Sequence, residues 1–126
     1  MDLLEKYLNT LDKIFSYDFV LSILIYGSNA KGKVKPLSDL DVCIILKENV
    51  TEKQKDEILS FSGDELDVTL FFDLAITIQK NIVSTCKIYK TKINLSNLFA
   101  KTQVRWLDFK PHLNKLYKSR GYPLAV

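Results

Sequence analysis

The sequence predicts a single α/β domain in which helices flank a small mixed β-sheet. The chain has 126 residues, a length typical of one domain. Its apolar residues alternate between helical spacing and short continuous runs, which is the pattern of helices interleaved with strands. No internal repeat or low-complexity linker interrupts this alternation. We therefore expect one domain over residues 1–126.

The first third of the chain predicts one helix and two strands. The apolar positions of the helix are Leu4, Tyr7, Leu8, Leu11, Ile14 and Phe15. Asp2 and Glu5 form a capping-box pattern in front of them. Val20 to Tyr26 and Asp41 to Leu46 are continuous apolar runs, as expected of strands that are covered on both faces. Between these runs, Asn29 to Lys33 can open a short helix.

The rest of the chain continues the same alternation. Thr51 and Gln54 form a second capping-box pair, which begins a helix that ends before Gly63. The patterns that follow predict a strand over 66–72, a helix over 74–83 and a brief strand over 87–89. A long helical region then covers about 96–120. Pro111 is expected to kink or divide it, because proline removes a helical hydrogen bond.

Composition excludes several classes of protein. The net charge is only +3, from 18 basic and 15 acidic residues, which does not indicate a nucleic-acid binder. No apolar run approaches the roughly 20 residues that span a bilayer, and Asp2, Glu5 and Lys6 interrupt any signal-peptide core. We therefore expect a cytoplasmic protein without a membrane segment. Cys43 and Cys86 lack metal-site spacing and are expected to be buried free thiols.

Two acidic residues and a glycine turn carry the functional signal. Asp39 and Asp41 stand at the start of an apolar run, and residues at i and i+2 of a strand point to the same face. Both carboxylates can therefore converge on a divalent cation, which would offset their repulsion. Gly27 and Ser28 end the preceding apolar run. Glycine permits a positive φ and close backbone approach, so this turn can hold phosphates.

The ordered combination of these residues resembles the signature of the minimal nucleotidyltransferases of the DNA polymerase β superfamily. The matching residues are Gly27, Ser28, Gly32, Ser38, Asp39 and Asp41. The resemblance runs from about Val20 to Pro111, most of the chain. It implies a polymerase β-like nucleotidyltransferase domain that uses ATP and Mg²⁺, with two metal ions in the site.

Nucleotidyl transfer also needs a third carboxylate near the acceptor, to complete the metal site and to help deprotonate the nucleophile. The resemblance assigns Asp67 to this catalytic and metal-binding role, beside Asp39 and Asp41. Glu65 is the competitor, because it shares the face of Asp67 by the i, i+2 rule. Asp67 is preferred since it lies within the apolar strand, where an unpaired charge is hardest to explain.

Basic residues beside the glycine turn are the remaining nucleotide-binding candidates. Lys31, Lys33 and Lys35 follow Gly27 and Ser28 and could attract the polyphosphate, although lysines at such spacing more often form a solvated face. His112 is the single histidine, and we expect a surface or capping role for it. The run from Arg105 to Pro111 resembles the C-terminal segment of many minimal nucleotidyltransferases. Packing of its aromatic residues, Trp106 and Phe109, is the simpler explanation.

The resemblance also implies a partner and an acceptor. Many members of the family pair with a HEPN-domain toxin in type VII toxin–antitoxin systems, in which the nucleotidyltransferase is the antitoxin and transfers AMP to a tyrosine of the toxin. A hetero-complex or an oligomer is therefore expected. Two alternatives remain: transfer to a small acceptor such as an aminoglycoside, which normally needs a second domain, and neutralisation of a toxin by docking alone. The segment 73–77 lacks the proline and the later glycine common in the family, so it departs on the acceptor side.

Overall fold

The computed structural model describes residues 3–27 and 39–121. Within them, four helices flank a sheet of four strands. The strands are β1 Val20–Tyr26, β2 Leu40–Leu46, β3 Leu66–Leu70 and β4 Lys87–Thr91. The helices are α1 Leu3–Phe15, α2 Glu52–Leu59, α3 Ile76–Thr85 and α4 Ser96–Arg120. A 3-10 turn, Phe71–Asp73, follows β3.

The sheet is mixed, as the sequence predicts, with strand order β3-β2-β1-β4. β1 pairs antiparallel with both β2 and β4, whereas β2 and β3 are parallel. Helices α1 and α2 cover one face, and α3 and α4 cover the other. Consecutive residues of β2 face opposite sides of the sheet. Val42 belongs to the core beneath α1 and α2, and Cys43 belongs to the core beneath α3 and α4. Because both faces are covered, β1 and β2 are continuous apolar runs rather than alternating ones.

The capping box of α2 is confirmed. The Gln54 backbone N–H donates to Thr51 Oγ1 at 3.1 Å, and the Thr51 N–H donates to Gln54 Oε1 at 2.9 Å. The capping pair proposed for α1 includes Asp2, which lies outside the described residues, and so does the helix opening expected at 29–33. Both cysteines are free, as expected, but Cys86 is half-buried rather than buried. Cys43 is buried, and burial raises the pKa of its thiol to about 12.

Four boundaries predicted in the second half of the chain are wrong by two residues: the end of β3, both ends of α3 and the end of β4. Strand β4 continues to Thr91 rather than ending at residue 89, because Thr91 pairs with Ser22 of β1. β3 ends at Leu70 rather than at residue 72, because the chain turns there and carries Phe71 into the core under α3 and α4. Helix α3 consequently begins and ends two residues late.

Pro111 does not divide α4. Proline has no N–H to donate, so the backbone carbonyl of Leu107 lacks its helical partner. Leu107 is 62% exposed, and water can therefore donate to that carbonyl. None of the described helices is long and apolar enough to cross a membrane.

A buried glutamine connects the 3-10 turn after β3 to helices α3 and α4. Gln79 of α3 is 2% exposed. Its Nε2 donates to the Phe71 carbonyl oxygen at 2.7 Å, and its Oε1 accepts from Arg105 Nη2 at 3.0 Å. The side chain therefore fixes the 3-10 turn, α3 and α4 relative to one another.

Replacing this glutamine is expected to destabilise the domain. Gln79→Met keeps most of the volume but removes both side-chain hydrogen bonds of Gln79. The Phe71 carbonyl oxygen then keeps the Leu74 N–H at 3.2 Å as its donor among the described residues, and we expect the free energy of unfolding to fall by about 1–3 kcal/mol. Urea denaturation measures the loss. Gln103→Met is the control, because Gln103 makes only an exposed contact with Ser84 Oγ at 3.2 Å. Equal losses for the two variants would contradict the bridging role.

Candidate functional site

Two carboxylates face each other at one end of the sheet. Asp41 of β2 and Asp67 of β3 are directly paired in the parallel ladder, so their side chains point to the same face. Asp41 shares its face of β2 with Cys43, because residues two apart in a strand point the same way. This face is therefore the one that α3 and α4 cover. Asp39 lies just before β2, two residues from Asp41. Asp39 and Asp67 are exposed, and Asp41 is half-buried.

These carboxylates form one electrostatic cluster. Burial raises the pKa of Asp41, and the charges of Asp67 and then Asp39 raise it further. A carboxyl group with two such neighbours ionises at a cost that a cation would remove. Within residues 3–27 and 39–121, no three acidic, histidine or cysteine side chains form a ready-made metal site. The three aspartates are therefore electrostatic neighbours rather than a preassembled coordination shell.

Gly27 makes room for one of these carboxylates. It follows β1 with φ +77°, in the left-handed region that residues with a Cβ rarely adopt. A Cβ at this position would overlap with Asp41 Oδ2 and would lie 3.4 Å from Asp41 Cγ. The Asp41 carboxylate thus lies directly against the backbone of the turn. Glycine is required here both by its φ and by this close approach.

The rest of the predicted phosphate-binding turn lies outside the described residues. Ser28, Lys31, Lys33 and Lys35 all fall within 28–38, together with two residues of the family signature. Their nucleotide-binding roles stay predictions.

Glu65, the competitor for the third carboxylate, is paired elsewhere. Lys6 Nζ of α1 lies 2.6 Å from Glu65 Oε2, and α1 packs on the opposite face of the sheet. Glu65 precedes the first residue of β3, so strand alternation does not align it with Asp67. The structure places Asp67 in the cluster and Glu65 in an ion pair on α1.

Sequence reasoning missed Tyr26 and Thr69 as neighbours of the cluster. The Tyr26 hydroxyl is 3.4 Å from Thr69 Oγ1, which itself donates to the Val42 carbonyl oxygen at 3.2 Å. Burial raises the pKa of Tyr26 most; the Thr69 hydrogen bond opposes this, and the charges of Asp41 and Asp67 reinforce it. Strand parity was the available signal, since Tyr26 immediately precedes Gly27 and Thr69 lies two residues after Asp67.

The donor set suits Mg²⁺. Magnesium prefers hard oxygen ligands and usually takes one or two protein carboxylates together with water and phosphate oxygens. Asp39, Asp41 and Asp67 supply only such oxygens, and their mutual repulsion favours a bound cation. The chemistry of these side chains therefore fits Mg²⁺, although the described residues do not form a preassembled site.

The sequence candidates on α4 have roles other than binding at the carboxylate cluster: Trp106 packs in the core, and His112 lines a different cavity. Trp106 is buried and its ring centroid lies 6.3 Å from that of Phe109, which agrees with the expected packing role. His112 is exposed, as expected for a surface residue. It lines a separate cavity together with Arg105 and Asp108.

Comparison with known proteins matches both the sequence and the fold. The family model described as "Nucleotidyltransferase domain" matches residues 4–101. A protein of Methanocaldococcus jannaschii named as a protein adenylyltransferase is 31% identical over 97 residues, which cover 76% of this chain and 77% of the relative.

Two solved structures share the fold at low sequence identity. One is a complex of the tri-AMPylated HEPN toxin of Shewanella oneidensis with its MNT antitoxin. The match has a TM-score of 0.69 and 13% identity, and it covers 93% of this chain and 98% of that chain. The other is a toxin–antitoxin structure with AMP-PNP, matched with a TM-score of 0.60 and 14% identity over 88% of this chain and 92% of that chain.

Proposed function

Because the chain belongs to the nucleotidyltransferase domain family, we propose that it transfers AMP from ATP to a tyrosine hydroxyl of a HEPN-domain toxin. It would thereby act as a cytoplasmic, Mg²⁺-dependent antitoxin of a type VII pair. The observation that carries the proposal is the cluster of Asp39, Asp41 and Asp67 beside the Gly27 turn. The AMPylated HEPN toxin in the neighbouring complex supports the choice of acceptor, and AMP-PNP in the second complex supports ATP.

The three aspartates would together bind Mg²⁺, and their positions would give each a further role. Mg²⁺ held by Asp39, Asp41 and Asp67 would supply positive charge where phosphate oxygens become more negative during transfer. Asp41, which lies against the backbone of Gly27, keeps the carboxylate cluster adjacent to the turn that receives the phosphates. Because Gly27 has no side chain, the triphosphate can approach the main chain at that position of the turn.

Asp67 is the residue best placed to meet the acceptor. It is exposed, and β3 is an edge strand of the sheet, so a protein surface can reach its carboxylate. Asp67 takes the proton of the acceptor hydroxyl as that oxygen bonds to the α-phosphorus. At the same time the bond between the α-phosphorus and the α–β bridging oxygen breaks, and pyrophosphate leaves and keeps the bridging oxygen.

Isotope placement tests the reaction. The chain is incubated with the product of the adjacent reading frame and Mg²⁺, with ATP labelled at either the α- or the γ-phosphorus. We expect only the α-label on the partner protein, and none after chelation of Mg²⁺. Transfer of the γ-label would indicate a kinase. Toxin neutralisation without label would indicate docking alone, and label confined to small molecules would indicate a small acceptor.

The Asp39→Asn, Asp41→Asn double variant is expected to lose the Mg²⁺-dependent part of ATP affinity and to keep its fold. Folding disfavours the ionised form of Asp41, so removing the charges relieves repulsion. Calorimetry of ATP binding with and without Mg²⁺ measures the first effect, and thermal unfolding measures the second. Asp56→Asn with Asp108→Asn removes the same charge from exposed helical sites and should retain the Mg²⁺ effect. If the unmodified protein bound ATP with the same affinity with and without Mg²⁺, the proposed metal site would be refuted.

A further inference from the structure

A cavity of about 300 Å³ opens beside the carboxylate cluster. It lies between the end of β1 and helix α3, and it shares Gly27 with the proposed phosphate turn. The residues that line it are Tyr26, Gly27, Ile78, Asn81, Ile82 and Thr85. A ligand that occupied it would therefore continue directly from the phosphate site.

The walls of this cavity are mostly apolar, with one amide group. Ile82 is fully buried and Ile78 is half-exposed, and Tyr26 lines the side formed by the sheet. Asn81 is exposed, and within the described residues its side-chain amide makes no hydrogen bond. The backbone carbonyl oxygen of Asn81 accepts from Thr85 Oγ1 at 2.8 Å. Apolar walls with a few placed polar groups are typical of sites for flat organic ligands.

The C-terminal end of helix α3 favours the nucleoside over the triphosphate in this cavity. Helix α3 ends at Thr85, beside the cavity, and has no basic residue in its last turn. The carboxyl end of a helix carries partial negative charge, which disfavours phosphate and favours N–H donors. The triphosphate is therefore expected on the Gly27 side, and the nucleoside on the α3 side.

We propose that this cavity binds the nucleobase and that the Asn81 amide selects adenine. The inference rests on the proposed function, since it places the nucleotide at the same site. Adenine presents an acceptor at N7 beside a donor at N6, which an asparagine amide can pair with bidentately. Guanine presents two acceptors at these positions, O6 and N7, so only the amide N–H₂ can pair with it.

Binding of three ligands in the presence of Mg²⁺ tests the assignment. Calorimetry on the full chain with ATP, GTP and inorganic tripolyphosphate should give tighter binding of ATP than of GTP. Asn81→Ala should weaken ATP binding by about 5- to 150-fold, the range of one bidentate base contact. Its affinity for GTP should fall less, because only the amide N–H₂ pairs with guanine, and its affinity for tripolyphosphate should stay unchanged. Ser84→Ala, on the exposed side of the same helix, should alter none of the three.

Each other outcome overturns the inference in a recognisable way. Equal affinity of the unmodified protein for ATP and GTP, or full ATP affinity in Asn81→Ala, would place the base elsewhere while the nucleotidyl-transfer proposal stood. Full ATP affinity combined with slower AMP transfer would assign the cavity to the acceptor. Loss of tripolyphosphate binding in Asn81→Ala would indicate damage to the phosphate site. Failure of the unmodified protein to bind any of the three would refute the proposed function and this inference together.

Discussion

Asp67→Asn is expected to slow AMP transfer to the partner by about 10²–10⁴-fold, the usual contribution of a general base. The amide keeps the size of the side chain but cannot accept the proton of the attacking hydroxyl. Asp39 and Asp41 remain, so part of the Mg²⁺-dependent ATP binding should persist. Single-turnover transfer of α-labelled AMP gives the rate, and calorimetry gives the retained affinity.

Glu65→Gln is the matched control, because it removes one carboxylate two residues away. Glu65 is paired with Lys6 at 2.6 Å, on the opposite face from the cluster, so its loss should leave the transfer rate unchanged. Full activity in Asp67→Asn would remove Asp67 from the chemistry. A large loss in Glu65→Gln would move the third-carboxylate role to Glu65.

Gly27→Ala is expected to reduce transfer by about 100-fold or more, the scale of a 1 Å displacement in an active site. The added methyl group would overlap with Asp41 Oδ2, and the backbone would be strained at φ +77°. Either Asp41 or the turn must move, and the proposed function requires both beside the phosphates. Gly27→Val should be more severe, because a β-branched side chain resists positive φ more strongly. The rate of label transfer measures both variants.

Gly121→Ala separates the backbone strain from the carboxylate overlap. Gly121 ends α4 with φ +75°, and a Cβ there would meet no atom of the described residues within 4 Å. This substitution should cost about 1–2 kcal/mol of left-handed strain and leave transfer intact. If Gly27→Ala lowered only stability, by the same amount as Gly121→Ala, the turn would be an ordinary one without a role in transfer.

Local patterns were sufficient for most of the fold. Strand β1 has the bounds that its apolar run predicts, and the Thr51–Gln54 capping box begins α2 as expected, because both signals depend on neighbouring residues. The prediction failed where tertiary packing overrides local preference. Phe71 continues an apolar run but is carried out of β3 into the core beneath α3 and α4. Pro111 remains within α4 because the affected turn is exposed to water.

The amino-acid sequence by itself determined the family, through its glycine turn and the Asp39–Asp41 pair, since both are short-range features. The sequence favoured Asp67 over Glu65 as the third carboxylate. Tertiary structure shows which of the two lies beside Asp41: the parallel register aligns Asp67 with Asp41, and Glu65 pairs with Lys6 of α1. The contact of Gly27 with Asp41 and the cavity beside α3 also depend on the tertiary structure. Strand register and helix packing join residues far apart in the chain, and no local spacing encodes those distances.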